Sequence, residues 1–351
     1  MPQSRFFTAL GEAKLQCTLC PRGCVIPPGG RGRCGVRGNQ AGHAELVYYG
    51  AVTALQIDPI EKKPLYHYRP GSRIFSVGFA GCNLQCPFCQ NWHISQITGR
   101  EPLPRLALRY CSPEALVKAA QAEQVLQIAY TYSEPLIHLE FLRDCMACAR
   151  EAGIANVLVS NGCINPEAAQ TILGLTDAAN IDLKCFSEDT YRRILGGDLA
   201  TVLDFITQAW KTGVHLELTT LVVPGLNDQD EEIDRCIAFL ASLSPQIPWH
   251  LSAYHPAYTW NAAPTDPKRL ISLAYRARET LSYVYTGNIA SAFSSTSSTQ
   301  DTICPHCGQT LIRRQGYRIQ NTGFVLHGSG PTCPVHCGHC GKAVPIVGYV
   351  G

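Results

Sequence analysis

Eighteen cysteines in 351 residues, most of them gathered into three groups, constrain this fold more than any other feature of the chain. Cys17, Cys20, Cys24 and Cys34 lie near the N-terminus. Cys82, Cys86 and Cys89 form a tight triplet. Cys304, Cys307, Cys333, Cys337 and Cys340 crowd the C-terminal region, and Cys111, Cys145, Cys148, Cys163, Cys185 and Cys236 are scattered. The chain is too long for a disulfide scaffold. Its opening, MPQSRFFTALGEAKLQC, has no apolar stretch of secretory-signal length. No run approaches the ~18 apolar residues of a membrane span. The cysteines therefore read as metal ligands in a reducing cytoplasm. With 46% hydrophobic and 16% charged residues, a large core is available and global disorder is excluded. Lys+Arg 29 against Asp+Glu 27 leaves a net charge of +2, so no overall field draws nucleic acid or an anionic membrane.

Between the outer cysteine groups, strand and helix signals alternate. Strands are predicted at Arg73–Phe79, Gln127–Tyr130, Ala155–Ser160, Ala179–Leu183, Val214–Val222 and Trp249–Ala253, with a last apolar run at Tyr283–Tyr285. Helices are predicted from Ser112-Pro113 to Gln124, then over Pro135–Ala152, Pro166–Leu173, Leu199–Thr212, Asp228–Leu243 and Asp266–Leu281. The first has Ser as N-cap and Pro at its first position. Short apolar strands alternating with helices imply a parallel sheet covered on both faces. About six βα units fit an incomplete (β/α) barrel or a doubly wound sheet. Ser291–Thr302, rich in Ser and Thr, reads as a linker. The expected organisation is a four-cysteine metal-binding segment over 1–70, an α/β core over 71–290, the linker over 291–302 and a small metal domain over 303–351.

The segment Cys82-Asn-Leu-Gln-Cys86-Pro-Phe-Cys89 has the spacing C-x3-C-x2-C. Three thiolates on one loop can hold three irons of a [4Fe–4S] cube and leave the fourth iron open. Phe88 completes the C-x3-C-x-aromatic-C pattern, and the segment resembles the cluster loop of the radical S-adenosylmethionine (SAM) superfamily. The resemblance implies a partial (β/α)6 TIM-like barrel, whose functional residues follow the strands. It maps Glu134 of YTYSEP, Asn161 of SNG, Asp182 and Lys184 of NIDLK, and His255 of YHP onto SAM-binding positions. VVPGLND at 222–228 matches a turn of pyruvate formate-lyase activating enzymes. Motif order and the terminal cysteine segments further resemble the AmmeMemoRadiSam group of radical SAM enzymes.

Cys304-x2-Cys307 and Cys337-x2-Cys340, each followed by Gly, read as the two knuckles of a zinc-ribbon-like tetrahedral site. Cys333 is an unbound or alternative ligand, and Arg313, Arg314 and Arg318 a solvated basic face. Cys17, Cys20, Cys24 and Cys34 suit one more metal centre, either zinc or a second iron–sulfur cluster. Cys163 and Cys185, next to the motifs after two strands, are buried hydrophobes or thiols that donate hydrogen atoms; Cys145 and Cys148 pack within a helix. The resemblance implies reductive cleavage of SAM to a 5′-deoxyadenosyl radical, an external flavodoxin- or ferredoxin-type electron donor, and association with Memo-like and AMMECR-like proteins. The substrate would be a glycyl or peptide site of a protein; a small molecule or RNA is the alternative. A non-SAM iron–sulfur electron carrier is the reading from another class, and it requires a fourth cysteine near the triplet.

Overall fold

The computed structural model describes residues 4–97, 108–289, 299–326 and 334–348. Its centre is an eight-stranded sheet in sequential order: β1 (Ala54–Pro59), β2 (Arg73–Gly78), β3 (Gln127–Thr131), β4 (Ala155–Ser160), β5 (Ala178–Asp182), β6 (His215–Val222), β7 (Trp249–Ala253) and β8 (Val284–Gly287). From β2 to β8 every pair is parallel, and β1 closes one edge antiparallel to β2. Every residue of β3 is buried, as expected for a strand covered on both faces. Helices α1 (Pro113–Ala122), α2 (Leu139–Glu151), α3 (Pro166–Leu173), α4 (Leu199–Lys211), α5 (Asp230–Leu243) and α6 (Pro267–Arg278) connect successive strands from β2 to β8. Ser112 accepts from Ala115 N at 3.2 Å, Asp198 from Thr201 N at 2.7 Å and Asp266 from Lys268 N at 2.9 Å. Local capping thus sets these helix starts. Tyr283–Tyr285 leads into β8, the seventh parallel strand. Pro135–His138, expected as the first turn of α2, is a 3₁₀ turn.

The parallel pairings bring strand C-termini level, for example Thr131 beside Gly78 and Val222 beside Ala253. A cavity opens at that end. The opposite end is plugged. Glu217, fully buried in β6, accepts from Tyr66 N at 2.9 Å and His67 N at 2.7 Å, and its oxygens lie 3.0 Å from His215 Nε2 and 2.7 Å from His250 Nε2. His67 stands 2.6 Å from the Tyr285 hydroxyl and 3.2 Å from the Pro345 carbonyl, which brings in the C-terminal tail. Val347 N donates to His67 O at 2.7 Å, and Arg69 N to Val347 O at 2.6 Å.

The tail consists of two three-stranded antiparallel sheets around a small core of Leu311, Ile312, Phe324, Val335, Val344 and Ile346. Arg314 corrects the expectation of a solvated basic face. It is buried, with its guanidinium 4.1 Å above the Tyr66 ring, and it donates to Tyr66 O at 2.8 Å and Thr302 Oγ1 at 2.7 Å. Residues 291–298 of the expected linker and Cys333 lie outside the described residues. Thr299 and Thr302 are buried, and Thr299 O accepts from Thr286 N at 3.0 Å.

The N-terminal segment forms a three-stranded sheet (Phe7–Ala9, Leu15–Cys17, Val25–Ile26) and a hairpin (Arg37–Gln40, His43–Leu46). Arg37 ties it to α2 by a bidentate pair with Glu140, at 2.8 and 3.0 Å, with both side chains buried. Such fork-to-carboxylate pairs are among the stronger polar contacts. No helix of the described residues is long and apolar enough to cross a membrane.

Glu217→Gln removes the buried charge that four donors share, and unfolding free energy is expected to drop by about 3 kcal/mol in denaturant titrations. Burial pushes His67 down to about 3. Between that value and its usual range the unfolded chain binds a proton that the folded chain refuses. Burial opposes the Glu217 charge, yet hydrogen bonds from His215 and His250 hold its pKa well below the usual carboxylate range. The unfolded chain therefore binds more protons at this group too as pH falls. Stability therefore declines on acidification from about pH 6.5 through His67 and, in addition, from about pH 4.5 through Glu217, by up to about 1.4 kcal/mol per pH unit for each group, measurable as a falling unfolding midpoint.

Candidate active site

The loop after β2 carries the cysteine triplet. Gly81 opens it at φ +86°, a left-handed conformation, and a Cβ there would stand 2.4 Å from the Cys34 carbonyl oxygen and 2.9 Å from Val36 Cγ1. Only glycine takes that place without strain. Gly81 N donates to Ile94 O at 2.8 Å, which folds the loop back on the short helix Trp92–Ser95. Leu84 N donates to Cys82 Sγ at 3.3 Å, Asn161 Nδ2 to the same sulfur at 3.6 Å, and Cys89 Sγ lies 3.2 Å from Ser95 Oγ. Burial pushes the Cys82 thiol far above its ordinary value and Cys86 up to about 12. A bound cation reverses that preference and holds such sulfurs as thiolates.

The three cysteines line a cavity of about 570 Å³ at the C-terminal end of the sheet. Glu134, Asn161, Asp182 and Lys184 line it as well. Glu134 Oε1 accepts from Leu136 N at 2.9 Å and Ser160 Oγ at 2.7 Å, and Oε2 from Asn161 N at 2.9 Å. A carboxylate has about four acceptor sites, so one remains on Oε2. Burial outweighs these bonds and pushes Glu134 up to about 7. Burial disfavours the Lys184 ammonium, but Asp182, whose Oδ2 lies 3.0 Å from Nζ, together with Cys86, raises its pKa above the ordinary value. Asn227, in the turn after β6, donates to Lys184 O at 2.6 Å and fixes the backbone there.

Three of the residues singled out in the sequence stay off this wall. His255 is exposed and stands 3.1 Å from the Asn288 carbonyl. Cys163 and Cys185 are buried with their sulfurs toward the carbonyls of Asp198 and Ser187, at 4.0 and 3.7 Å. The walls also hold a polar cluster that the motifs missed. Asp58 accepts from Lys62 at 2.8 Å, from Lys63 at 2.6 Å and from the Tyr132 hydroxyl. Burial opposes its charge, but these donors hold Asp58 well below the usual carboxylate range. Tyr132 reaches it from a left-handed backbone at φ +71°, uncommon for a residue with a side chain. The sequence signal was a charged DPIEKK run that begins in the last two residues of β1, with no partner visible nearby.

In the tail, the Sγ atoms of Cys304, Cys307, Cys337 and Cys340 all lie within 4.8 Å of one another, with 3.7 Å between Cys304 and Cys340 and 3.6 Å between Cys307 and Cys337. No other group of three or more Cys, His, Asp or Glu among the described residues closes this far. Cys17, Cys20, Cys24 and Cys34 surround a separate small hollow with Arg22, Arg37 and Asn83.

A profile of the radical SAM superfamily matches residues 76–237, from β2 through the triplet to α5. Along 99% of its length the chain is 35% identical to an uncharacterized protein of Methanocaldococcus jannaschii, MJ0808, of which it covers 100%. The chain belongs to the radical SAM superfamily. It is homologous to pyruvate formate-lyase activating enzymes: that of Clostridium pasteurianum is 27% identical over 192 residues, 53% of this chain and 76% of the relative. A solved domain of the activating enzyme from Bacteroides vulgatus aligns with 46% of the chain and 98% of the domain, at 21% identity and a TM-score of 0.39. Membership makes the chain an enzyme and implies a [4Fe–4S] cluster and SAM for this radical SAM domain.

Gly81→Ala would push a methyl group into the Cys34 carbonyl and strain the left-handed backbone. A loss of roughly 2–3 kcal/mol in unfolding free energy is expected, together with lower iron content in the reconstituted protein, by denaturant titration and metal analysis.

Proposed function

We propose that this radical SAM enzyme reductively cleaves SAM in the cavity above the triplet and uses the 5′-deoxyadenosyl radical to abstract hydrogen from a polypeptide substrate. The observation that carries this reading is the cavity wall itself. Among the described residues it holds three cysteines and no fourth, together with an unused carboxylate acceptor and a lysine. A self-contained electron carrier would complete its cluster with protein ligands. Cys82, Cys86 and Cys89 would hold the cluster, which when bound supplies one electron and an open iron.

The free acceptor on Glu134 Oε2 suits the ammonium of SAM, which also favours the ionised form of a carboxyl otherwise raised to about 7. Lys184, held charged by Asp182, suits a carboxylate or ribose oxygen. Asn161 secures both ends of the site, since its N–H binds Glu134 and its side chain reaches Cys82. The Lys62–Lys63–Asp58–Tyr132 cluster extends the polar lining beyond these groups and offers donors to the substrate. Deep walls limit quenching of the radical by solvent. The names of the activating-enzyme relatives imply a protein as substrate, and a low-potential one-electron donor of flavodoxin or ferredoxin type is needed. Just after the triplet in sequence, half-exposed Trp92 stacks on half-exposed Tyr258 at 5.4 Å. Such a stacked pair offers a platform for an extended peptide.

The tail site is proposed as mononuclear zinc. Tetrahedral Zn–S bonds of about 2.3 Å place sulfurs about 3.8 Å apart. The spacings of 3.7 and 3.6 Å are close to that value.

Anaerobic protein with iron, sulfide, dithionite and SAM is expected to yield 5′-deoxyadenosine by chromatography, and Cys86→Ala to yield none. Glu134→Gln is expected to weaken SAM binding about 10- to 100-fold, the loss of one hydrogen bond to a charged group. Absence of SAM binding by the iron-loaded protein would overturn the reading. Separately, Cys337→Ser is expected to remove one zinc per chain by elemental analysis while SAM cleavage persists.

A further inference from the structure

A polypeptide held over the cavity would block that side of the triplet loop, so the electron needs another way in. The loop has a second side. Cys82, Leu84, Cys86 and Phe88 line the cavity, whereas Asn83 and Gln85 between them do not. Both of these residues are held by arginines of the N-terminal segment. Arg22 Nε donates to Asn83 O at 2.9 Å, and Arg33 Nη2 to Gln85 Oε1 at 2.6 Å. Gln85 N donates to Leu195 O at 2.8 Å, which fixes the loop from its other flank. Gln85 directly precedes Cys86, so this side leads to a cluster ligand within one residue of chain.

The charge of this segment is one-sided. Residues 13–44 hold five Lys and Arg and no Asp or Glu, in a chain whose net charge is only +2. Lys14 is paired with Glu12, and Arg37 with Glu140. Arg22, Arg31 and Arg33 remain, and among the described residues no carboxylate forms an ion pair with any of them. The adjoining 188–198 stretch is nearly balanced, with Arg192 and Arg193 against Glu188, Asp189 and Asp198. The excess therefore sits on the N-terminal segment. Arg31 and Arg33 are exposed there, and so are Val25, Pro27 and Pro28. Gly32, between the two arginines, packs on the same short strand as Val25: a Cβ there would stand 3.4 Å from Ile26 Cδ1. Exposed apolar side chains with arginine and no acidic residue match the composition of protein interfaces. Unpaired cations steer an acidic partner. No exposed Trp, Tyr or Phe lies within 13–44, so the stacking platform used by single-stranded nucleic acid is missing.

We propose that the face formed by Val25, Pro27, Pro28, Arg31 and Arg33 is the docking surface of an acidic one-electron carrier protein, which delivers its electron through the Gln85 side of the triplet loop. The inference rests on the reading that the triplet holds a reducible cluster. The electron passes from the reduced carrier to that cluster, and the carrier leaves oxidised by one electron. The test follows cluster bleaching by stopped-flow absorbance in full-length, iron-loaded protein, without SAM. With reduced flavodoxin as the probe, the second-order rate is expected to fall steeply from low to high salt. In Arg31→Glu/Arg33→Glu the low-salt rate is expected to drop about 10-fold or more, and in Arg31→Gln/Arg33→Gln by an intermediate factor. Reduction by dithionite, which needs no docking, is expected to be unchanged in both variants. A flavodoxin rate indifferent to salt and to both variants would overturn the proposal. Equal slowing with dithionite would also overturn it, because the arginines would then act only by holding the loop. Loss of poly(U) binding in the variants with an unchanged flavodoxin rate would assign the face to nucleic acid instead. Protein that takes up no iron would overturn the reading of the triplet and the docking surface with it, whereas iron-loaded protein that ignores the substitutions overturns the surface alone.

Discussion

A carboxylate with no access to water has to be met from all sides, and Glu217 is met by two backbone amides and two histidines. Burying that charge alone would cost several kcal/mol. The donors come from the 66–67 segment, from β6 itself and from β7, so satisfying one residue fixes the foot of the sheet. His67 carries the same network out to Tyr285 and the tail. With one end of the strands filled this way, a ligand has to enter at the other, where the C-terminal strand ends bring the triplet, Glu134, Asp182 and Lys184 together.

The upper end depends in turn on the N-terminal segment. Gly81 presses against the Cys34 carbonyl, and Arg37 of the same segment is clamped by Glu140. The segment that carries four cysteines thus also shapes the loop that carries three. β1, at residues 54–59, is hydrogen-bonded into the core sheet along its length. An approach to either cysteine group moves backbone that belongs to the other.

Much of this was legible in the chain. The parallel strands are short apolar runs between punctuated helices, and the six expected from β2 to β7 match within one residue at each end because Gly, Pro and capping residues mark their limits. The triplet and the motifs at Glu134, Asn161, Asp182 and Lys184 were legible as residues of one cavity because parallel strands bring their C-terminal ends to one side. What was not legible depends on partners far away in sequence. Arg314 looks like a surface arginine until Tyr66 is beneath it. The Asp58 cluster needs Tyr132 from a different strand end. The N-terminal strands, two to four residues long, carry too little periodicity to stand out. His255 followed a strand in the right register, yet the chain after β7 turns it outward to the rim.

The tail closes its contacts with His67 from Pro345, 278 residues away. On a ribosome that segment emerges long after His67. Until then the foot of the sheet stands open, with His67, Tyr285 and the Glu217 network reachable by water, because long-range pairing has to wait for the chain that makes it. The order of synthesis therefore lets pairing at the cavity end precede the sealing of the opposite end, which waits for the segment around Pro345.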